Sequence, residues 1–458
     1  MTFAGESSWG GFIVLRIHLY LPCRQVWLQL LLGLAVALLL AGCGRLRPAE
    51  PTPTPVTLRY VSGAAQTEVE QELLARFHEL HPHITVDRQR FAMAPQRYLT
   101  DGPPDVLTIM PGYWLEAAIQ AGLVADVSDV WQMADLDQHL PPFLTAMATH
   151  GGKQFFLPAG YAWSALYYNR ARFEQMGLTP PATWDELLAV ADVLQSQGIT
   201  PFALPGDDAW ATSLWFDYLI LRLYGADVHQ ALARGQLPFD DARVRTVLET
   251  WQLLFDRGYF LEHPERLSTL ESALALVEHG ESGLMDATAG MALLGPGALD
   301  DLPANFREQL AFAPFPSLDS TIPRAEVLVT LGMVAPMDAP HLPEAMTFLA
   351  FLASPEAQAT LTQHAGQEFV FAPARTDVDQ EALPALVRQG VTLLEGADQA
   401  VLPLILQLPN EMASVYGRRL TQFAQAAAQQ DGDIDSTLAA LEAARQSALT
   451  QGLLPEGN

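Results

Sequence analysis

The sequence predicts an α/β protein, on three observations. Val56 to Val61 alternates around Leu58 and Tyr60 as a strand does. Val69, Leu73, Phe77 and Leu80 then recur at the spacing of one helix face, and Pro82 stops that helix. Ile84 and Val86 alternate again as a second strand. Strand, helix and strand over about 30 residues make a βαβ unit, whose right-handed crossover lays the strands side by side in parallel.

The remaining elements follow in chain order. Ser62-Gly63-Ala64-Ala65-Gln66 reads as the turn before a helix that starts at Thr67. Asp105 to Ile109 is a third strand, with Met110-Pro111-Gly112-Tyr113-Trp114 as the loop at its C-terminal end and a helix running from there to Gly122. This first part is α/β with a largely parallel sheet. The middle of the chain reads as mostly helical, with apolar-periodic stretches over Trp184–Gln195, Ser213–Leu223, Val244–Asp256 and Glu344–Leu352. Thr183 and Glu186 fit a capping box, and Ser354-Pro355-Glu356 places proline at a first helical position. Ile434 to Leu449 is an Ala-rich helix.

Composition narrows the function. The chain has 458 residues, enough for two or three domains with real cores. Its 52 acidic residues outnumber 25 basic ones, and a net charge of −27 argues against nucleic acid, which needs clustered cations. Both cysteines, Cys23 and Cys43, fall near the N-terminus, so the rest of the chain forms no disulfide and no cysteine-based metal site.

That N-terminus reads as an export signal. Arg16 and Arg24 precede the apolar run Val26–Ala41, which is short for a membrane span of about 20 residues. Leu40-Ala41-Gly42-Cys43 resembles a bacterial lipobox, which implies cleavage before Cys43 and a lipid on its thiol. On that reading residues 1–42 are a lipoprotein signal peptide. Residues 43–55, with Pro51, Pro53 and Pro55 alternating with Thr52 and Thr54, are the lipidated cysteine and an extended tether.

An ordered series of short pieces then carries a resemblance. It includes His81-Pro82-His83-Ile84-Thr85-Val86, Gly102-Pro103-Pro104-Asp105-Val106 and Gly122-Leu123-Val124-Ala125-Asp126-Val127. Gly152-Lys153-Gln154-Phe155-Phe156-Leu157-Pro158, Leu166-Tyr167-Tyr168-Asn169-Arg170 and Pro181-Ala182-Thr183-Trp184-Asp185-Glu186-Leu187 follow. Ser354-Pro355-Glu356-Ala357-Gln358 and Ala372-Pro373-Ala374-Arg375 close it. In this order, behind a lipobox, they resemble a family 1 extracellular solute-binding protein, the sugar receptor of an ABC importer of the maltose-binding class. The resemblance implies a type II, two-lobe periplasmic-binding-protein fold with a hinge and a central ligand cleft. Lobe one would hold 56–160 and 311–372, and lobe two 161–310 and 373–458. It implies a receptor without chemistry or cofactor, expected to be a monomer. Such a receptor binds a carbohydrate outside the cytoplasmic membrane, is held there by its lipid, and hands the solute to the transmembrane subunits of a permease. A secreted glycan-acting enzyme, a solute sensor, and a receptor for a polyamine, polyol phosphate or peptide remain as alternatives.

A sugar offers hydroxyls and C–H faces, so its site needs short polar side chains together with rings. Ligands of open α/β sheets lie beyond the carboxyl ends of strands. These requirements select Gln66 in the first turn, Tyr113 and Trp114 after the third strand, and Tyr161 and Trp163, which share one side of a strand. They also select Asp207, Asp208 and Trp210 after Pro205-Gly206. By resemblance, Gly297 stands where related chains carry a stacking tryptophan, and Tyr416 falls near a second-lobe stacking ring. Arg375 is a further candidate cation. His78, His81 and His83 cluster in sequence, but a helix end between them explains their spacing better than zinc does.

The lipobox makes one prediction. Cys43→Ser leaves the folded body intact and releases the protein from the membrane fraction; retention of the variant there would mean that Val26–Ala41 spans the membrane.

Overall fold

The computed structural model describes residues 54–63, 67–277, 288–295, 297–364 and 370–455. The leader, Cys43 and Gln66 lie outside the described residues. Residues 55–458 cluster as one unit.

The βαβ start is as the periodicity predicts: β1 (Val56–Ser62), α1 (Glu68–Leu80) and β2 (Ile84–Arg90). The Thr67 hydroxyl caps α1 by accepting from the Glu70 N–H. Val69, Leu73 and Phe77 are buried, but Leu80, the last residue of the helix, is 46% exposed. Next come β3 (Val106–Ile109) and α2 (Tyr113–Gln120). Asp105 precedes β3 as a buried carboxylate that accepts from the backbone N–H of Arg59 and of His341, both at 2.7 Å. Then follow β4 (Leu157–Trp163), β5 (Ala165–Asn169), α3 (Trp184–Ser196) with its complete Thr183–Glu186 capping box, and β6 (Thr200–Ala203).

The long helix α4 (Ala209–Ala233) bends at Gly225, whose φ of 80° and ψ of 176° are open to glycine and costly for other residues. His229 beyond the bend reaches back to Asp217, with Nε2 and Oδ1 2.7 Å apart in a fully buried contact. The chain continues through α5 (Ala242–Asp256), β7 (Ala289–Leu294), β8 (Leu310–Ala313) and β9 (Ala325–Val334). It ends with β10 (Ala372–Pro373), α6 (Ala385–Glu395), β11 (Gln399–Val401), α7 (Leu404–Gln407), α8 (Asn410–Ala427) and α9 (Ile434–Thr450).

Two principal sheets result. The first has the order β10-β4-β9-β3-β1-β2, with β11 also paired to β9. It is parallel through β2, β1 and β3, whereas β9 runs antiparallel to β3 and β4. The largely parallel sheet read from the sequence therefore extends only to the βαβ portion. The second sheet has the order β8-β5-β7-β6, with only β6 and β7 parallel.

The chain passes between the sheets three times: at Ser164, between Ala313 and Ala325, and after Val401. These positions differ from the lobe limits implied by the resemblance. Residues 161–163 complete a strand of the first sheet, residues 311–313 belong to a strand of the second, and β10, α6 and β11 stay with the first. The difference has a physical cause, since strand membership is decided by pairing partners far away in the chain.

One helix of the second lobe grips two of these passages. The Tyr218 hydroxyl of α4 donates to the Ser164 carbonyl and lies 3.1 Å from Glu326 Oε2. Arg222, one turn on, donates to the Phe315 carbonyl at 2.9 Å, to the Ala325 carbonyl, and to Glu326 Oε1 at 2.7 Å. The Ser164 N–H donates to the Val327 carbonyl at 3.0 Å. Both charged side chains are essentially buried, 4% and 0% exposed. Burial pushes the Glu326 carboxyl up, against the pull of Arg222 and Arg324.

Removing Arg222 takes away the buried carboxylate's only guanidinium within hydrogen-bond reach among the described residues, leaving Tyr218 at 3.1 Å and Arg324 at 3.7 Å. Arg222→Ala is expected to destabilise the fold by about 3–5 kcal/mol, read as a lower midpoint in urea or heat; a change near zero would mean that Glu326 is neutral or otherwise satisfied.

Candidate functional site

The loops at the carboxyl ends of the strands carry the candidate residues. On the first lobe, β3 ends in Met110-Pro111-Gly112, and Gly112 opens α2. A Cβ on Gly112 would lie 2.3 Å from the Leu406 carbonyl oxygen, so only glycine lets α2 approach α7 this closely. Tyr113 is half-buried, and its hydroxyl donates to the Leu453 carbonyl at 2.8 Å. Burial pushes that hydroxyl's pKa up. Trp114 is half-buried against the first core. The N-terminus of α2 thus leans on α7 and on the chain just beyond α9.

On the second lobe, β6 runs into Leu204-Pro205-Gly206. Gly206 packs so tightly on Pro264 that a Cβ there would meet backbone at 2.7 Å. Asp207 is exposed, and burial together with the neighbouring Asp208 and Glu271 raises its pKa. Asp208 is the N-cap of α4. Its Oδ1 accepts from the N–H of Trp210 at 2.9 Å and of Ala211 at 3.3 Å, and its Oδ2 accepts from the Thr269 hydroxyl at 2.9 Å. Both oxygens are therefore engaged in holding the loop. Asp207 is the exposed carboxylate of the pair, and its own backbone N–H donates to it.

Trp210 is half-buried, with its indole nitrogen turned toward Gly295 at the end of β7. A Cβ on Gly295 would sit 3.9 Å from Trp210 Nε1, 3.3 Å from Ser164 Oγ and 3.1 Å from a Leu214 methyl. Trp210 thus stands beside the first passage between the sheets. Gly297 is exposed at φ 81°, and the nearest group to a Cβ built there would be the Asp300 carboxylate at 3.8 Å. Asp300 Oδ1 accepts from the Val370 N–H at 3.0 Å, which ties the loop after β7 to the approach to β10. Burial raises the Asp300 carboxyl. The sequence reading missed Asp300 and Thr269, and no local pattern distinguishes either one.

Three candidate rings are core residues instead. Tyr161 is buried edge-on against Phe143, with centroids 5.3 Å apart. Trp163 lies against Phe312 at 5.5 Å, and a Cβ on Gly390 of α6 would meet its ring at 2.2 Å. Period-2 reasoning placed both rings on one side of β4, but β4 is paired on both edges and its faces are covered. Tyr416 is 0% exposed, edge-on to Phe216 at 5.7 Å. Its neighbour Val415 lines a surface groove of about 380 Å³ between α8 and α9, together with Glu411, Arg418 and Arg419. Arg375 is buried and committed to Asp377 and to the Ala134 and Ala353 carbonyls. His78 Nδ1 contacts the Ile84 carbonyl at 3.0 Å, and no metal-holding group of three such side chains occurs among the described residues. No helix among the described residues is long and apolar enough to cross a membrane.

A family model described as bacterial extracellular solute-binding protein matches residues 63–359. The chain belongs to that family. An ABC transporter extracellular-binding protein of Pyrococcus horikoshii is 24% identical over 412 residues, which cover 83% of this chain and 88% of the relative. The alpha-glucosides-binding periplasmic protein AglE of Rhizobium meliloti is 26% identical over 313 residues, 64% of this chain and 66% of that one. The crystal structure of the bacterial solute receptor AcbH superposes with a TM-score of 0.73 at 20% identity, covering 87% of this chain and 98% of the other. The solute-binding protein described here thus has the family's type II, two-lobe α/β fold.

The two adjacent aspartates should separate cleanly by substitution. Asp208→Ala removes the α4 cap and is expected to cost about 0.5–2 kcal/mol of stability, whereas Asp207→Ala should stay within about 0.5 kcal/mol of wild type in urea unfolding. Equal effects would refute the division of labour.

Proposed function

We propose that this solute-binding protein is the extracytoplasmic receptor of an ABC importer, lipid-anchored at Cys43, that binds a carbohydrate between its lobes and presents it to a membrane permease. The observation that carries the site is the Asp207–Trp210 turn. It sets an exposed carboxylate and a partly open indole side by side at the start of the helix that grips the interlobe passages. An indole face suits sugar C–H groups, and a carboxylate accepts from hydroxyls. Support for the solute class comes from the relatives: AglE is named for alpha-glucosides, and AcbH is described as having an exclusive preference for β-D-galactopyranose.

Tyr113 and Trp114 are proposed to face the solute from the first lobe, with Gln66 in the turn after β1. Gly297 leaves space where a ring would otherwise stand, which suits a short solute better than a long oligosaccharide. Closure is a hinge motion, and a solute that touches both lobes only when they are closed shifts the population toward that form. The receptor itself performs no chemistry in this reading.

A thermal-shift screen of the chain from Cys43 against galactose, alpha-glucosides and raffinose tests the solute class. A bound sugar raises the unfolding midpoint by mass action, and Trp210→Ala is expected to weaken that sugar by about 1–3 kcal/mol in calorimetry without unfolding the protein. No shift with any sugar, or unchanged affinity in the variant, would remove respectively the carbohydrate or the indole from the proposal. Turnover of a sugar during incubation would point to the enzyme instead.

A further inference from the structure

Beside the interlobe passages, away from the Asp207–Trp210 turn in sequence, lies a groove of about 410 Å³ lined by Pro181, Arg222, Pro314, Phe315, Ile322 and Arg324 among others. Its volume is in the range of small-molecule sites. Its walls are mostly apolar, and its two charges are both guanidinium.

The Arg324 guanidinium is only partly satisfied by the protein. Arg222 is 4% exposed, and all three of its nitrogens are committed, to the Phe315 and Ala325 carbonyls and to Glu326. Glu326 is also the carboxylate nearest to Arg324, whose Nε lies 3.7 Å from Oε1, beyond hydrogen-bond reach. Arg324 Nη2 donates to the Leu393 carbonyl at 3.2 Å, and Nη1 makes no hydrogen bond among the described residues. Asp398 Oδ2 accepts from the Arg324 backbone N–H at 2.8 Å rather than from its guanidinium. Arg222 and Arg324 thus approach the same buried carboxylate, and Arg324, a third exposed, keeps Nη1 open at the groove. A guanidinium N–H without an acceptor beside an apolar wall offers a charge-assisted hydrogen bond to an anion. A carboxylate on Arg324 would complete the alternation Arg222, Glu326, Arg324, anion, and guanidinium favours that partner geometrically. Pro314 and Ile322, both partly exposed, offer apolar surface to the rest of such a molecule.

We propose that this groove is a binding site for a small organic carboxylate with a flat apolar body, held through Arg324. The site is distinct from the carbohydrate site and does not depend on that reading. Its occupant would touch residues 313–324, the segment that carries the chain from the second sheet to the first.

Isothermal titration of the chain from Cys43 with benzoate, and with benzyl alcohol as its neutral counterpart, tests the proposal. Saturable benzoate binding at least about tenfold tighter than benzyl alcohol is expected, weakening as ionic strength rises. Arg324→Gln should lose about tenfold or more, and Ile322→Trp, which fills the groove, should abolish binding, each with unchanged far-UV circular dichroism. Trp210→Ala should leave benzoate binding intact. Absence of saturable binding, equal affinity for the alcohol, or survival of benzoate binding in the substituted proteins would overturn the proposal. Should Arg324→Gln fail to fold, Ile322→Trp decides alone.

Discussion

A single buried carboxylate, Glu326, fastens the region where the chain passes between its two sheets. Its partner Arg222 also reaches the carbonyls of Phe315 and Ala325, and Tyr218 on the same helix reaches Ser164. Two strands distant in sequence are thus anchored to one surface of α4. Desolvating both charges is expensive, and the pair is tolerated because backbone carbonyls take up the guanidinium's remaining N–H groups. A wholly apolar replacement would hold the strands together but would not dictate which carbonyl faces which donor.

The same helix begins at the candidate site. Trp210 and Arg222 lie twelve positions apart on α4, about 18 Å along the axis at 1.5 Å per residue. Asp208 holds the first turn with both carboxylate oxygens, so the orientation of Trp210 is tied through a rigid rod to the passages between the lobes. The proposed ligand contact and the proposed pivot are two ends of one element. Asp207, which carries no such structural duty, is exposed to solvent.

Much of the fold was legible in the sequence because local signals govern it. Thr67 and Thr183 announce helix starts, and both caps form. Val69, Leu73 and Phe77 announce a buried face, and they are buried. What local pattern misses is pairing. Nothing near residue 161 says that β4 continues to Trp163 in the first sheet, because that depends on β9 and β10, far along the chain. The site was half legible for the same reason. The Asp207–Trp210 turn is a local constellation and could be read directly as a candidate. Tyr161, Trp163 and Tyr416 looked equally suitable, but their surroundings are supplied by Phe143, Phe312, Gly390 and Phe216 from remote segments. An aromatic residue in a sequence carries no mark of which neighbour will cover it.

The three passages have a consequence for synthesis. The second sheet and α4 are complete in sequence by Ala313, yet α8, which packs against α4, begins only at Asn410. In between, the ribosome must deliver β9, β10, α6 and β11, all of which belong to the other sheet. During that interval the apolar side of α4 that Tyr416 and Leu420 will cover has no native partner, a state in which chains of this size are prone to association. Folding that begins only once α8 has been released would avoid that interval.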